Sequence, residues 1–97
     1  MPTTPLASRS LNLSDMLKQL GDPARHKIIA AIGDGEVSVT QICDATNMAQ
    51  PNVSHHLASL RLVGLVSSRR VSACVYNSVN RDLLNATADA VRNLIPN

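Results

Sequence analysis

Apolar positions along much of the chain fall three and four residues apart, the spacing of helices that bury one side. The pattern is clearest in Met48 to Val66, MAQPNVSHHLASLRLVGLV, where Val53, Leu57 and Leu60 form one stripe. Pro51 suits a first turn, where a missing N–H costs nothing, and Gly64 is the expected stop. At about 100° per residue, Asn52, His55 and Ser59 project away from the stripe, and Ser54 and His56 flank it. That outward face carries amide, hydroxyl and imidazole groups and no acidic residue. Such groups bond both phosphates and base edges, although a merely solvated helix face has the same pattern.

Upstream, Leu13, Met16, Leu17 and Leu20 predict a first helix from about Leu11 to Leu20, closed by Gly21. Asp22 followed by Pro23 starts a second, with Ile28, Ile29 and Ile32 facing inward and Gly33-Asp34-Gly35 as a turn. Ser38 and Gln41 form a capping-box pattern for a short third helix bearing Val39, Ile42, Cys43 and Thr46 on one side. Asn47 and Met48 then lead tightly into the fourth. Beyond Gly64 the helical stripe disappears, and Leu65 to Val71 and Ala73 to Val79 read as antiparallel strands around Ser72, with Arg69 and Arg70 beside the turn. Asn80 caps a last helix with a broad stripe of Leu83, Leu84, Thr87, Ala90, Val91, Leu94 and Ile95, stopped by Pro96. The expected fold is mainly α with a β-hairpin, in the order α-α-α-α-β-β-α: a winged helix-turn-helix.

Composition narrows the function. The 97 residues suit one domain, placed at 11–97 after a loose arm at 1–10. Phe and Trp are absent and Tyr76 is the single aromatic, which argues against a sheet that stacks unpaired bases. A net charge of +2 permits nucleic-acid binding without requiring it. The two separated cysteines are expected to be reduced thiols of a cytoplasmic protein, and no segment is long enough to enter a membrane as a span. No phosphate-cradling glycine loop, paired carboxylates or Cys/His/Asp constellation suggests an enzyme, and no cofactor is expected. The terminal helices, at 11–20 and 81–95, are expected to pack against a second copy in a two-fold homodimer, the alternative being that they complete the core of one chain.

From Leu17 to Val79 the chain resembles the ArsR/SmtB family of bacterial winged-helix repressors. The motifs that carry the resemblance are LGDPARHKII, SVTQICDA, QPNVSHHLASLRLVGLV and SSRRVSACVYNSV. It implies a homodimer that binds an imperfect palindrome in double-stranded operator DNA and is released by an inducer. On this sequence it implies a DNA-facing set of Gln50, Asn52, Ser54, His55 and Ser59 in the major groove. Thr40 would touch phosphate, His56 would orient the helix or touch phosphate, and Arg69 and Arg70 would form the basic pair of the wing. Two features depart from the pattern. Val71-Ser72-Ala73 stands where an acidic residue, glycine and arginine are common, and Ala49 replaces the usual serine cap.

The resemblance does not name a signal. The Cys-x-Cys positions used by metal sensors hold Ser38 and Thr40, and the last helix has Asp82 and Asp89 but no histidine. His26 is remote in sequence from His55 and His56, and adjacent histidines on a helix do not share a face, so neither standard metal site is expected. Cys43 falls where thiol- and persulfide-sensing members keep one reactive cysteine, which makes it a sensor candidate. Their second cysteine, late in the last helix, has no counterpart here, and Cys43 is also placed to pack in the core. A metal-responsive repressor, a ligand-independent one and a winged helix that docks another protein are the competing readings.

Overall fold

Asn12 opens the first helix. In the computed structural model, which describes residues 12–96, its side chain accepts from the Asp15 amide while the Asp15 carboxylate accepts from the Asn12 amide, both at 3.1 Å. This reciprocal cap starts α1 (Leu13–Leu20) later than the expected Leu11. The arm expected at residues 1–10 lies outside the described residues. In α2 (Pro23–Ile32), Asp22 accepts from the Ala24 amide at 2.9 Å, and Gly33 leaves the helix at φ 59°. A two-residue strand follows, β1 (Val37–Ser38), and runs without a break into α3 (Val39–Thr46). Ser38 is therefore both a strand residue and the N-cap of α3, closing the capping box with Gln41.

Asn47, left-handed at φ 59°, turns the chain from α3 toward α4 (Gln50–Leu62). Short polar side chains such as asparagine tolerate that conformation best after glycine. Gly64, at φ 84°, then directs the chain into β2 (Val66–Val71), which pairs with β3 (Cys74–Val79) before α5 (Arg81–Arg92). The sheet has three strands in the order β1-β3-β2, all antiparallel, rather than the two expected. β1 escapes a sequence reading because two residues carry no alternation, and it is a strand only through its pairing with Asn77 and Tyr76. The last helix ends at Arg92 and not at Ile95. Proline pushes its preceding residue out of the α region, which keeps Ile95 from extending the helix.

The core gathers residues of α1 to α4, of the turn after α4 and of the start of β2: Met16, Ile28, Ile32, Ile42, Val53, Leu57, Leu60, Val63, Leu65 and Val66. Full burial of Val53, Leu57 and Leu60 contributes about 2 kcal/mol each, enough to hold α4 with its polar side outward. The terminal helices only partly complete the core of one chain. Met16 joins the core and Leu20, Leu83 and Leu84 pack against it. Leu17, Val91, Leu94 and Ile95 stay 39–81% exposed on the other side, beside a shallow apolar groove between α1 and α5.

Candidate nucleic-acid interface

The outward side of α4 is exposed at four of the five expected positions. Gln50, Asn52, Ser54 and His55 are exposed, while Ser59 is half-buried and its hydroxyl donates back to the His55 carbonyl at 3.4 Å. Ala49 caps α4 without a side-chain hydrogen bond, so no side chain occupies the first amides of that helix. Thr40 is exposed on the first turn of α3, whose own end is closed by Ser38 and Gln41.

His56 turns the other way. Its side chain is only 15% exposed, and Nδ1 accepts a hydrogen bond from Arg25 Nε at 3.3 Å and lies 3.9 Å from Asp22 Oδ2. With Nδ1 accepting, the proton of the neutral ring sits on Nε2. Arg25 also donates through Nη1 to the carbonyl of Gln19 at 3.0 Å, filling an open acceptor at the end of α1. Arg25 thus binds together the end of α1, the start of α2 and the middle of α4. Nothing in the sequence pattern singled it out, because an arginine in a first helical turn carries no local mark of its partners.

The wing separates its two arginines. Side chains alternate along a strand, so Arg69 and Arg70 lie on opposite faces of the hairpin. Arg69 makes a two-pronged bond to Glu36, at 2.6 and 2.7 Å. That hydrogen bond holds the Glu36 carboxyl below its ordinary value and raises the arginine above its own. Arg70 shares its face with Ser68 and Asn77, the side on which Arg61 of α4 donates to the Ser68 hydroxyl at 3.3 Å. Among the described residues Arg70 forms no ion pair. At the tip, Ser72 adopts φ 58°, so a serine takes the left-handed conformation that hairpin turns usually assign to glycine.

Cys43 is half-buried against the core and Cys74 is exposed at the start of β3; both are free thiols. His55 and His56 have ring centroids 5.6 Å apart and tilted planes. Among the described residues no three His, Cys, Asp or Glu side chains converge as a metal site would require. No helix among them is long and apolar enough to cross a membrane.

Known proteins share both this sequence and this architecture. The model of the arsR family of bacterial regulatory proteins matches residues 22–68. The transcriptional repressor SdpR of Bacillus subtilis is 28% identical over 83 residues, which span 86% of this chain and 92% of SdpR. The arsenic resistance transcriptional regulator ArsR2 of Pseudomonas putida is 37% identical over 70 residues, spanning 71% of this chain but 61% of its own length. Among solved structures, the homodimeric winged helix-turn-helix DNA-binding domain Mb0332 of Mycobacterium bovis superposes with a TM-score of 0.71 at 27% identity. That match covers 88% of this chain and 83% of the other. The family and these relatives are transcriptional regulators, not enzymes. The buried apolar stripe, tight turn and outward polar helix thus fall within the matched residues 22–68, the hairpin follows directly, and the chain belongs to the ArsR family of winged helix-turn-helix regulators.

Proposed function

We propose that this protein is a transcriptional repressor that binds double-stranded operator DNA as a homodimer, α4 entering the major groove of each half of an imperfect palindrome. The observation that carries this reading is α4 itself, buried through Val53, Leu57 and Leu60 and presenting Gln50, Asn52, Ser54 and His55 to solvent. Those side chains are short enough for close approach and can donate to and accept from base edges. Ser59 extends the same face, Thr40 meets a phosphate, and Arg70 neutralises backbone charge beside the groove. Arg69 and His56 serve the same surface indirectly, by holding the wing to Glu36 and α4 to Arg25. The exposed apolar residues of α1 and α5 support a two-fold contact between copies, which would place two recognition helices one duplex turn apart.

Release from DNA is assigned to an inducer, with a thiol-reactive species acting at Cys43 as the first candidate. Cys43 lies on α3 and packs against the core beneath the helix-turn-helix, so an added group there would press on the seat of α4. Fluorescence anisotropy tests the whole reading. The reduced protein is titrated onto a DNA fragment from its own upstream region, then again after a persulfide donor, peroxide or divalent metals, with Cys43→Ser alongside. Salt-sensitive binding by the reduced protein, lost on thiol modification and retained by Cys43→Ser, is expected. Release by a metal, or by nothing in the series, would replace the thiol signal with a metal or with no ligand. Absence of salt-sensitive DNA binding would leave the polar helix as a protein-docking surface instead.

A further inference from the structure

Asn77 is fully buried in the middle strand of the sheet. A primary amide enclosed among apolar side chains is costly unless its donors and acceptor are used. Here both ends are used. Nδ2 donates to the Val37 carbonyl of β1 at 3.2 Å, and Oδ1 accepts from the Ser68 hydroxyl of β2 at 2.6 Å. Ser68 Oγ in turn accepts from Arg61 Nη1, in the last turn of α4, at 3.3 Å. The donors all point one way, from Arg61 through Ser68 and Asn77 to Val37, so each bond polarises the next.

The path of this relay gives it meaning. It starts at the end of the outward polar helix, crosses both long strands of the wing, and ends on β1. Through Ser38, β1 continues directly into α3, the first helix of the helix-turn-helix. Arg70 projects from the same face of the hairpin as Ser68 and Asn77. The relay therefore joins the elements that must meet one duplex at the same time.

We infer that Asn77 is a positioning residue for DNA binding, setting the angle between the wing and α4 through Ser68 and Arg61. This rests on the DNA-binding reading given above. Without the relay the hairpin is held to α4 by the Leu65 amide's bond to the Leu60 carbonyl and by apolar contacts near its base, and its arginine-bearing end shifts relative to the polar helix face. The wing then loses phosphate contacts although every DNA-facing residue is still present.

Replacing Asn77 directly risks the fold, so the decisive variant is Ser68→Ala, which cuts the relay at an exposed position. Ser68→Thr restores the hydroxyl. Ser67→Ala is the matched control, since Ser67 faces the other side and shares its hydroxyl contact with Ser78 at 3.4 Å. Two readouts are taken: anisotropy on the upstream DNA fragment across a salt series, and amide hydrogen exchange of the DNA-free proteins. Ser68→Ala is expected to weaken binding about tenfold and to flatten the salt dependence by about two ions per dimer. It should also speed exchange in β2 and β3 while leaving α4 protected, and lower the melting temperature by a few degrees because Asn77 Oδ1 loses its donor. Ser68→Thr should recover both readouts, and Ser67→Ala should change neither. Unchanged wing exchange and unchanged affinity in Ser68→Ala would overturn the inference. If the parent protein binds no DNA, the repressor reading fails, and wing exchange alone still decides whether the relay couples hairpin to helix.

Discussion

Arg69 reaches past β3 to Glu36 and holds its carboxylate with two parallel bonds, Nε to Oε2 at 2.6 Å and Nη2 to Oε1 at 2.7 Å. A carboxylate in that position already satisfies the guanidinium fork that a phosphate would otherwise occupy. The two arginines of the wing should therefore behave differently toward DNA. Arg70→Ala is expected to reduce the salt dependence of binding by about two ions per dimer, one for each wing. Arg69→Ala should reduce it little, and Glu36→Gln should steepen it by releasing the guanidinium. Anisotropy titrations from low to physiological salt distinguish these outcomes; equal slopes for the two alanine variants would sink the distinction.

The same pair has a pH signature. Glu36 is held below the ordinary carboxylate value chiefly by its hydrogen bond from Arg69. A depressed folded-state value means the pair's stabilisation is complete above the ordinary carboxylate range and is lost as pH falls through the lowered one. Nothing should change near neutrality. Carboxyl NMR titration should find Glu36 ionised to lower pH than a free glutamate, and Arg69→Ala should return it to the usual range.

Ser72 occupies a positive-φ position at the hairpin tip. Strain of this kind costs a non-glycine residue about 1 kcal/mol. Ser72→Gly should relieve it and raise the melting temperature by about 4 °C in a domain of this size. Calorimetry checks the shift, and a decrease would show that the hydroxyl or the stiffer chain contributes more than the strain costs.

His56→Ala removes the acceptor for Arg25 Nε at a half-buried site. The expected result in urea unfolding is a loss of about 1–2 kcal/mol. The salt slope of DNA binding should be unaltered, because the side chain faces α2. A lower slope with stability retained would instead make His56 a phosphate contact.

Leu17 and Val91 remain 40% and 39% exposed on the outer side of the terminal helices. Paired substitution with glutamate, Leu17→Glu and Val91→Glu, should convert a dimer into a folded monomer by sedimentation equilibrium. Operator binding should fall by at least tenfold, since linked half-sites gain from effective concentration. A dimer that survives the two charges would place the contact elsewhere.

Much of what neighbours along the chain decide was open to a reader of the sequence, although the Asn12–Asp15 cap that starts α1 was missed. The caps at Asp22, Ser38 and Asn80, the stripe of Val53, Leu57 and Leu60, and the hairpin around Ser72 all depend on residues a few positions apart. Resemblance added the partner and the role, and the comparisons agree with the family. What tertiary structure alone decided involves long separations. Glu36 meets Arg69 across 33 residues, Val37 meets Asn77 across 40, and Arg25 meets His56 across 31. An isolated Asn77 between Tyr76 and Ser78 gives no sign of burial, and two adjacent arginines give no sign that, among the described residues, Arg69 pairs with a carboxylate and Arg70 does not. Local hydrogen bonding and periodicity choose the elements, whereas the partners of polar side chains are set by which elements the core brings face to face.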